Sequence, residues 1–197
     1  MPMAGRVGDI GMAIAQQRLT LEEFLALPEE EPALEYYDGT VTQKVSPQGQ
    51  HGVLQFDVAD RFNRFARPKK LALAIPELRA TYGEFSLVPD VAVYRWARIP
   101  RTPDGKIANR FTEAPDIAVE IASPEQSVTV LAQKCVTFLE QGTEIALLVN
   151  PADETVIRFV PGQSPRTLRG DDRIDLDSVL SGFQLTVREL FASLRID

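Results

Sequence analysis

The chain has one cysteine, one histidine and one tryptophan in 197 residues. With Cys135 alone, no disulfide can close within the chain, and a reducing, cytoplasmic compartment is expected. No apolar run approaches the ~20 residues that a membrane-spanning helix needs. Met1 to Gln17 lacks the long apolar core of a signal peptide. An excess of positive charge is also missing. The formal charge of −7 is the wrong sign for a protein that coats nucleic acid through many phosphate contacts. The single histidine, His51, lies far in sequence from Ser123, and no motif links the two. Ser123 heads a Ser-Pro-Glu-Gln capping pattern and reads as structural rather than nucleophilic. There is no internal repeat and no dividing linker. The expectation is a poorly ordered tail over residues 1–18 and one domain over residues 19–197, long enough to bury a substantial core.

What is present is an ordinary globular balance with unevenly spread charge. Leu19 to Gly39 holds seven acids and no bases, whereas Arg61 to Lys70 holds five bases and no acids. Arg95, Arg98, Arg101, Lys106 and Arg110 form a second basic stretch opposed by Asp104 alone. A local positive surface on an acidic protein is therefore open, beside the plainer reading of a solvated surface.

Thr20-Leu21-Glu22-Glu23 is a capping box and starts a short helix. Asp38-Gly39 between Leu34–Tyr37 and Thr40–Val45 signals a two-residue hairpin. His51 to Phe65 reads as a helix whose apolar stripe runs through Val53, Phe56, Ala59 and Phe62. Leu71–Ile75, Leu78–Tyr82 and Ser86–Trp96 are strand candidates. Residues 97–115 are a long irregular stretch, which Trp96 is expected to anchor. Ile117–Ile121, Glu144–Asn150, Thr155–Val160 and Arg173–Val179 follow as strands, and Thr186–Leu194 as a terminal helix.

Two stretches carry chemistry. Val88-Pro89-Asp90-Val91-Ala92-Val93-Tyr94 and Asp116-Ile117-Ala118-Val119-Glu120-Ile121-Ala122 each set a carboxylate in or beside an apolar strand. Alternation sends Ile117, Val119 and Ile121 to one face and Ala118, Glu120 and Ala122 to the other, so Glu120 stands between two small neighbours. A helix from about Ser127 to Gln141 follows. Its apolar face holds Val128, Leu131, Ala132, Cys135, Phe138 and Leu139, and Lys134 falls just beyond the edge of that face, beside Phe138. Two hard carboxylates and a cation suit metal-assisted phosphodiester hydrolysis, provided the strands are adjacent. A buried carboxylate is costly alone, so a salt bridge or a wet edge strand is the competing explanation for Glu120. Cys135 reads as core. His51 reads as a capping or surface group, with a metal or base role as the lesser alternative.

The segments Leu34-Glu35-Tyr36-Tyr37-Asp38-Gly39, Ser46-Pro47 with His51-Gly52, Val88 to Val93, Val119 to Pro124, Lys134 through Gly142, Leu148 to Pro151 and Ser181-Gly182-Phe183 occur in that order. Together they resemble the Uma family of bacterial candidate restriction endonucleases, within the PD-(D/E)XK nuclease superfamily. The resemblance covers roughly Thr20 to Leu194. It implies an α/β fold: a mixed sheet flanked by helices, a restriction-endonuclease-like αβββαβ core, and an N-terminal helix and hairpin as extension. It implies Asp90 and Glu120 as metal-binding acids for Mg²⁺ or Mn²⁺, with the Ile121 carbonyl adding a ligand, and Lys134 beside the attacking water. Glu35 and His51 match further recurrent polar positions as accessory groups. The usual lysine two residues after the second acid is Ala122 here. The chain also departs from the family at Val130, where an acidic residue is expected, at Phe138, where a tyrosine is usual, and at Asn150, where an aspartate is frequent. The expected activity is endonucleolytic hydrolysis of DNA, by a homodimer or higher homo-oligomer with no membrane association. The alternative is a catalytically weak or inactive nuclease-fold binding or assembly module.

Overall fold

The computed structural model describes residues 18–124 and 126–196. The expected tail, residues 1–18, lies outside them except for Arg18. In chain order the elements are α1 (Leu21–Leu25), β1 (Leu34–Tyr37), β2 (Thr40–Gln43), α2 (Gly49–Ala66), β3 (Ala72–Pro76), β4 (Ala80–Tyr82), β5 (Phe85–Leu87), β6 (Val91–Arg95), β7 (Ile117–Ile121), α3 (Val128–Glu140), β8 (Ile145–Asn150), β9 (Thr155–Phe159), β10 (Arg166–Arg169) and α4 (Val187–Phe191). Six strands form one sheet in the order β10-β9-β8-β7-β6-β3, and four form a second in the order β2-β1-β5-β4. Only the β7–β8 pair of the larger sheet is parallel, joined through α3. Omitting β4 and β5, the run α2-β3-β6-β7-α3-β8 is the αβββαβ core expected from the sequence.

Local signals explain several elements. The Thr20 hydroxyl accepts the Glu23 amide while the Glu23 carboxylate accepts the Thr20 amide, closing the capping box of α1. Thr186 and Glu189 do the same for α4. Asp38 and Gly39 both take positive φ, as a hairpin turn that follows the strand twist requires. The β7 alternation holds. Ile117, Val119 and Ile121 pack with Leu54, Val58 and Phe62 of α2, while Ala118 and Ala122 pack with Leu131, Cys135 and Phe138 of α3.

Four expectations need correction. The stripe on α2 is offset from the expected one: Leu54, Val58, Ala59, Phe62 and Ala66 are buried, while Val53 is exposed and Phe56 is 72% exposed. Both sets repeat at helical spacing, so periodicity alone could not choose between them. Val128 likewise lies exposed at the start of α3. The expected strand Ser86–Trp96 is two strands in different sheets. It breaks at Val88-Pro89-Asp90, where Pro89 has no amide to give a ladder and the Val88 amide donates instead to Glu35 Oε1 at 2.6 Å. Arg173–Val179 is not a strand. The edge strand is β10, which sequence reading missed because Leu168 is its single buried residue.

The second basic stretch is partly spent on the fold. Arg95 and Arg98 both donate to Asp116, a fully buried carboxylate just before β7, and Arg95 also binds Glu144. The Arg95 amide donates to Asp116 Oδ2 at 2.7 Å. Replacing Asp116→Asn removes the charge from this junction, and the urea unfolding free energy is expected to fall by about 2 kcal/mol, the worth of a charge-assisted hydrogen bond.

Candidate active site

The break before β6 places the first carboxylate. Asp90 precedes Val91, which pairs with Val119, so Asp90 stands beside Glu120 at the end of neighbouring strands. Its Oδ2 accepts the Ile121 amide at 2.6 Å, which ties the loop to β7. Its backbone carbonyl accepts from Gln55 Nε2 at 3.0 Å and from the Glu77 amide at 3.2 Å. Both carboxylates are buried, each residue 2% exposed.

Lys134 reaches back from α3 to this strand end. The small Ala118 and Ala122 let the helix pack closely on the face that carries Glu120. From there Lys134 Nζ stands 2.9 Å from Glu120 Oε1 and 2.8 Å from Glu35 Oε1. Its stem passes Phe138, with Nζ 5.8 Å from the ring centroid. Ala122, at the position of the missing superfamily lysine, is part of this packing. Glu35 extends from β1 in the smaller sheet and links it to the site through Lys134 and the Val88 amide.

His51 is neither a cap nor a surface group. It lies inside the first turn of α2, buried, with Nε2 3.3 Å from Asp90 Oδ1 and Nδ1 3.2 Å from Ser123 Oγ. Ser123 therefore orients the imidazole. The capping role expected for it is only half made: Gln126 Oε1 accepts the Ser123 amide, but α3 begins later, after Ser127.

Lys44, just after β2, was not expected here. Its Nζ lies 2.7 Å from Asp90 Oδ1 and 2.8 Å from Glu77 Oε2, and Gln55 Nε2 holds the other Glu77 oxygen at 2.6 Å. No periodicity marks Lys44 or Glu77, because they meet Asp90 only through the docking of the hairpin and the β3–β4 connection. Lys44, Gln55, Glu77 and Val88 also line a cleft of about 650 Å³, together with Arg79, Arg110 and Glu29 to Glu31.

The electrostatics separate the two acids. Burial alone would raise Asp90, but the hydrogen bond from His51 and the charge of Lys44 overcome it and hold the carboxyl well below the usual range. Burial pushes Glu120 up to about 8. Asp90 and Glu35 add to the rise, and Lys134 and Lys44 offset it only in part. Lys134 is driven down by burial, yet the Glu120 and Glu35 carboxylates raise it above an ordinary lysine, so it stays charged. Glu120 Oε1 is buried and accepts no well-aligned hydrogen bond, although the ammonium is close.

The family departures fall in different places. Val130 is 67% exposed, so that change touches solvent. The Asn150 side chain accepts the Ala152 amide within a turn. Phe138 alone lies by Lys134, so of these three only its missing hydroxyl subtracts from the site.

No helix among the described residues is long and apolar enough to cross a membrane. Among proteins with curated descriptions, none matches the chain. The crystal structure of a "putative nuclease belonging to DUF820" from Anabaena variabilis is 40% identical, with a TM-score of 0.87 over 90% of this chain and 99% of that one. The family model of Uma2, "Putative restriction endonuclease", matches residues 21–188. That span includes both strands, the helix carrying Lys134 and the hairpin carrying Glu35, and by it the chain belongs to the Uma2 family.

Proposed function

We propose that the protein is a Mg²⁺- or Mn²⁺-dependent endonuclease that hydrolyses DNA phosphodiester bonds at the Asp90–Glu120–Lys134 cluster. The observation that carries this reading is the meeting of two buried carboxylates from adjacent strand ends with the Lys134 ammonium, at 2.9 Å from Glu120. The donor set fits a divalent ion. It offers hard oxygens from Asp90 and Glu120, and Glu120 Oε1 has a lone pair that no well-aligned donor takes. The Ile121 carbonyl is proposed as a further ligand. When bound, the ion supplies a water of lowered pKa and stabilises charge on the phosphate.

The remaining roles belong to the chain. Lys134 balances charge beside the attacking water and holds Glu120 in place. Glu35 holds the same Lys134 ammonium as a second carboxylate partner. His51, oriented by Ser123, keeps Asp90 ionised. Arg79 and Arg110 on the cleft wall would take up phosphates, whereas Arg61 and Arg64 are paired along α2 with Asp57 and Asp60. The reading is tested by incubating supercoiled plasmid with the protein and Mg²⁺ or Mn²⁺. Nicked and linear products that vanish with a chelator are expected; an intact plasmid in both metals would overturn the reading.

A catalytically weak or inactive binding or assembly module is favoured by one observation, Phe138 beside Lys134, where the site lacks a polar group. For that reading the same experiment gives no cleavage, and a salt-dependent mobility shift remains.

Cutting a duplex needs two strand scissions, and a homodimer or higher homo-oligomer supplies two sites. Phe56, 72% exposed on α2 with Val53 one turn away, is the proposed contact. Phe56→Glu is expected to convert a dimer to a monomer in sedimentation velocity. A wild type that is monomeric at micromolar concentration would contradict it.

A further inference from the structure

We propose that Lys44 is a tethered cation that holds the place of a second divalent ion on the cleft side of Asp90. The proposal rests on the reading of Asp90 and Glu120 as the holders of one metal ion.

His51, Glu77 and Asp90 present ligand atoms within 4.8 Å of one another. One imidazole nitrogen and two carboxylate oxygens at that spacing form a donor set for a divalent cation. The Lys44 ammonium sits among them, at hydrogen-bonding distance from an oxygen of each carboxylate. The set is braced as a site would be. Glu77 adopts φ of +48°, uncommon for a residue with a side chain. It is held there by its amide on the Asp90 carbonyl and by Gln55 on its free oxygen. Lys44 itself is largely buried, with its side chain 9% exposed.

The chemistry follows from what an ammonium is. It brings one positive charge and donor hydrogens, so it neutralises Asp90 and can hold a phosphate oxygen arriving through the cleft that Lys44 lines. It has no coordination position for a water and cannot lower a water's pKa. The site is therefore built for one metal ion, on the Glu120 side. Lys44 does the electrostatic work that a second metal does in two-metal sites, and Asp90 serves both cations.

The test is the stoichiometry of Mn²⁺ binding, by titration calorimetry and by loss of the free-ion paramagnetic resonance signal, on wild type and on Lys44→Met and Lys44→Gln. Circular dichroism confirms that each variant is folded, and the two variants guard against loss of either one. The expected result is one Mn²⁺ per wild-type chain and a second in the variants, bound about tenfold or more tightly than any second ion in wild type. Adding Glu77→Gln to Lys44→Met then returns the count to one. Two ions on wild type, or one on all folded variants, would overturn the role of Lys44 and leave the Asp90–Glu120 reading intact. No ion on wild type but one on Lys44→Met would support Lys44 and sink the Asp90–Glu120 reading. No ion on any protein would sink both.

Discussion

Asp90→Asn and Glu120→Gln are each expected to lower metal-dependent plasmid cleavage by about a thousandfold, yet to move stability in opposite directions. The loss of rate has one source in both. A metal ion that stabilises the reacting phosphate contributes several kcal/mol, and about 4 kcal/mol corresponds to roughly three powers of ten. The stabilities differ because the environments differ. Asp90 is held below the usual carboxylate range by His51 and Lys44. Its contribution to folding is present above the ordinary aspartate value and is lost as pH falls through the depressed one. At pH 7 the charged form is stabilising, and its removal leaves Lys44 buried without its closest partner. A loss of about 3 kcal/mol is expected in denaturant unfolding.

Glu120 behaves in the reverse sense. Burial pushes it up to about 8, so protonation favours the folded chain. That contribution is complete below the ordinary glutamate value and is lost as pH rises through about 8. At pH 7 the unfolded chain gains by ionising this residue and the folded chain largely does not, so Glu120 works against folding, and a neutral amide of the same shape is tolerated. Glu120→Gln should unfold at or above the wild-type midpoint while cleaving about a thousandfold more slowly, the pattern of a group kept for chemistry at the cost of stability. Thermal melts at pH 5 and pH 8 give a direct check, since the advantage of the variant should widen at the higher pH. A variant less stable than wild type at both values would contradict this account of Glu120.

Lys134→Met is expected to damage both properties. The ammonium lies between Glu120 and Glu35 at 2.9 and 2.8 Å. Methionine fills the stem's volume but leaves Glu35 and Glu120 buried without their shared ammonium. Breaking a buried pair by removing one partner costs about 3–5 kcal/mol. Cleavage should fall by about a hundredfold or more, the usual contribution of a positioned proton-transfer or charge-balancing group. The stability loss has a signature that separates it from poor packing. A divalent cation brought to the same carboxylates restores charge, so Mn²⁺ should raise the melting temperature of Lys134→Met more than that of wild type. A core mutant such as Phe62→Ala, remote from the carboxylates in the α2 cluster, should show the wild-type metal response. Equal Mn²⁺ shifts in wild type and Lys134→Met would argue that Lys134 is not the partner of the metal-binding acids.

The parts of the fold legible in the sequence were those set by short-range chemistry. The capping box at Thr20, the Asp-Gly turn and the β7 alternation each depend on residues within a few positions. The alternation also placed Ala118 and Ala122 on the face of Glu120, and the space these small residues leave is taken by Leu131, Cys135 and Phe138 of α3. Lys134 at the edge of the α3 stripe followed from helical geometry, and Ala122 made its reach the open question that the 2.9 Å contact answers in geometric terms. What was not legible depends on long-range docking. The α2 sequence offers two apolar stripes, and only the packing of the sheet selects Leu54 and Val58 over Val53 and Phe56. The strand break at Pro89 is a matter of which sheet each half joins. Glu35 gave no hint in sequence that it would bind the Val88 amide. Lys44 and Glu77 approach Asp90 from separate connections, and His51, which was expected at the surface, joins them because α2 enters the site at its first turn.

The central claim, that Asp90 and Glu120 together hold the metal, is tested most directly by anomalous diffraction from crystals grown with Mn²⁺. The account predicts a peak within coordinating distance of both the Asp90 and the Glu120 carboxylates. An ordered ion with no Glu120 oxygen among its ligands would contradict it.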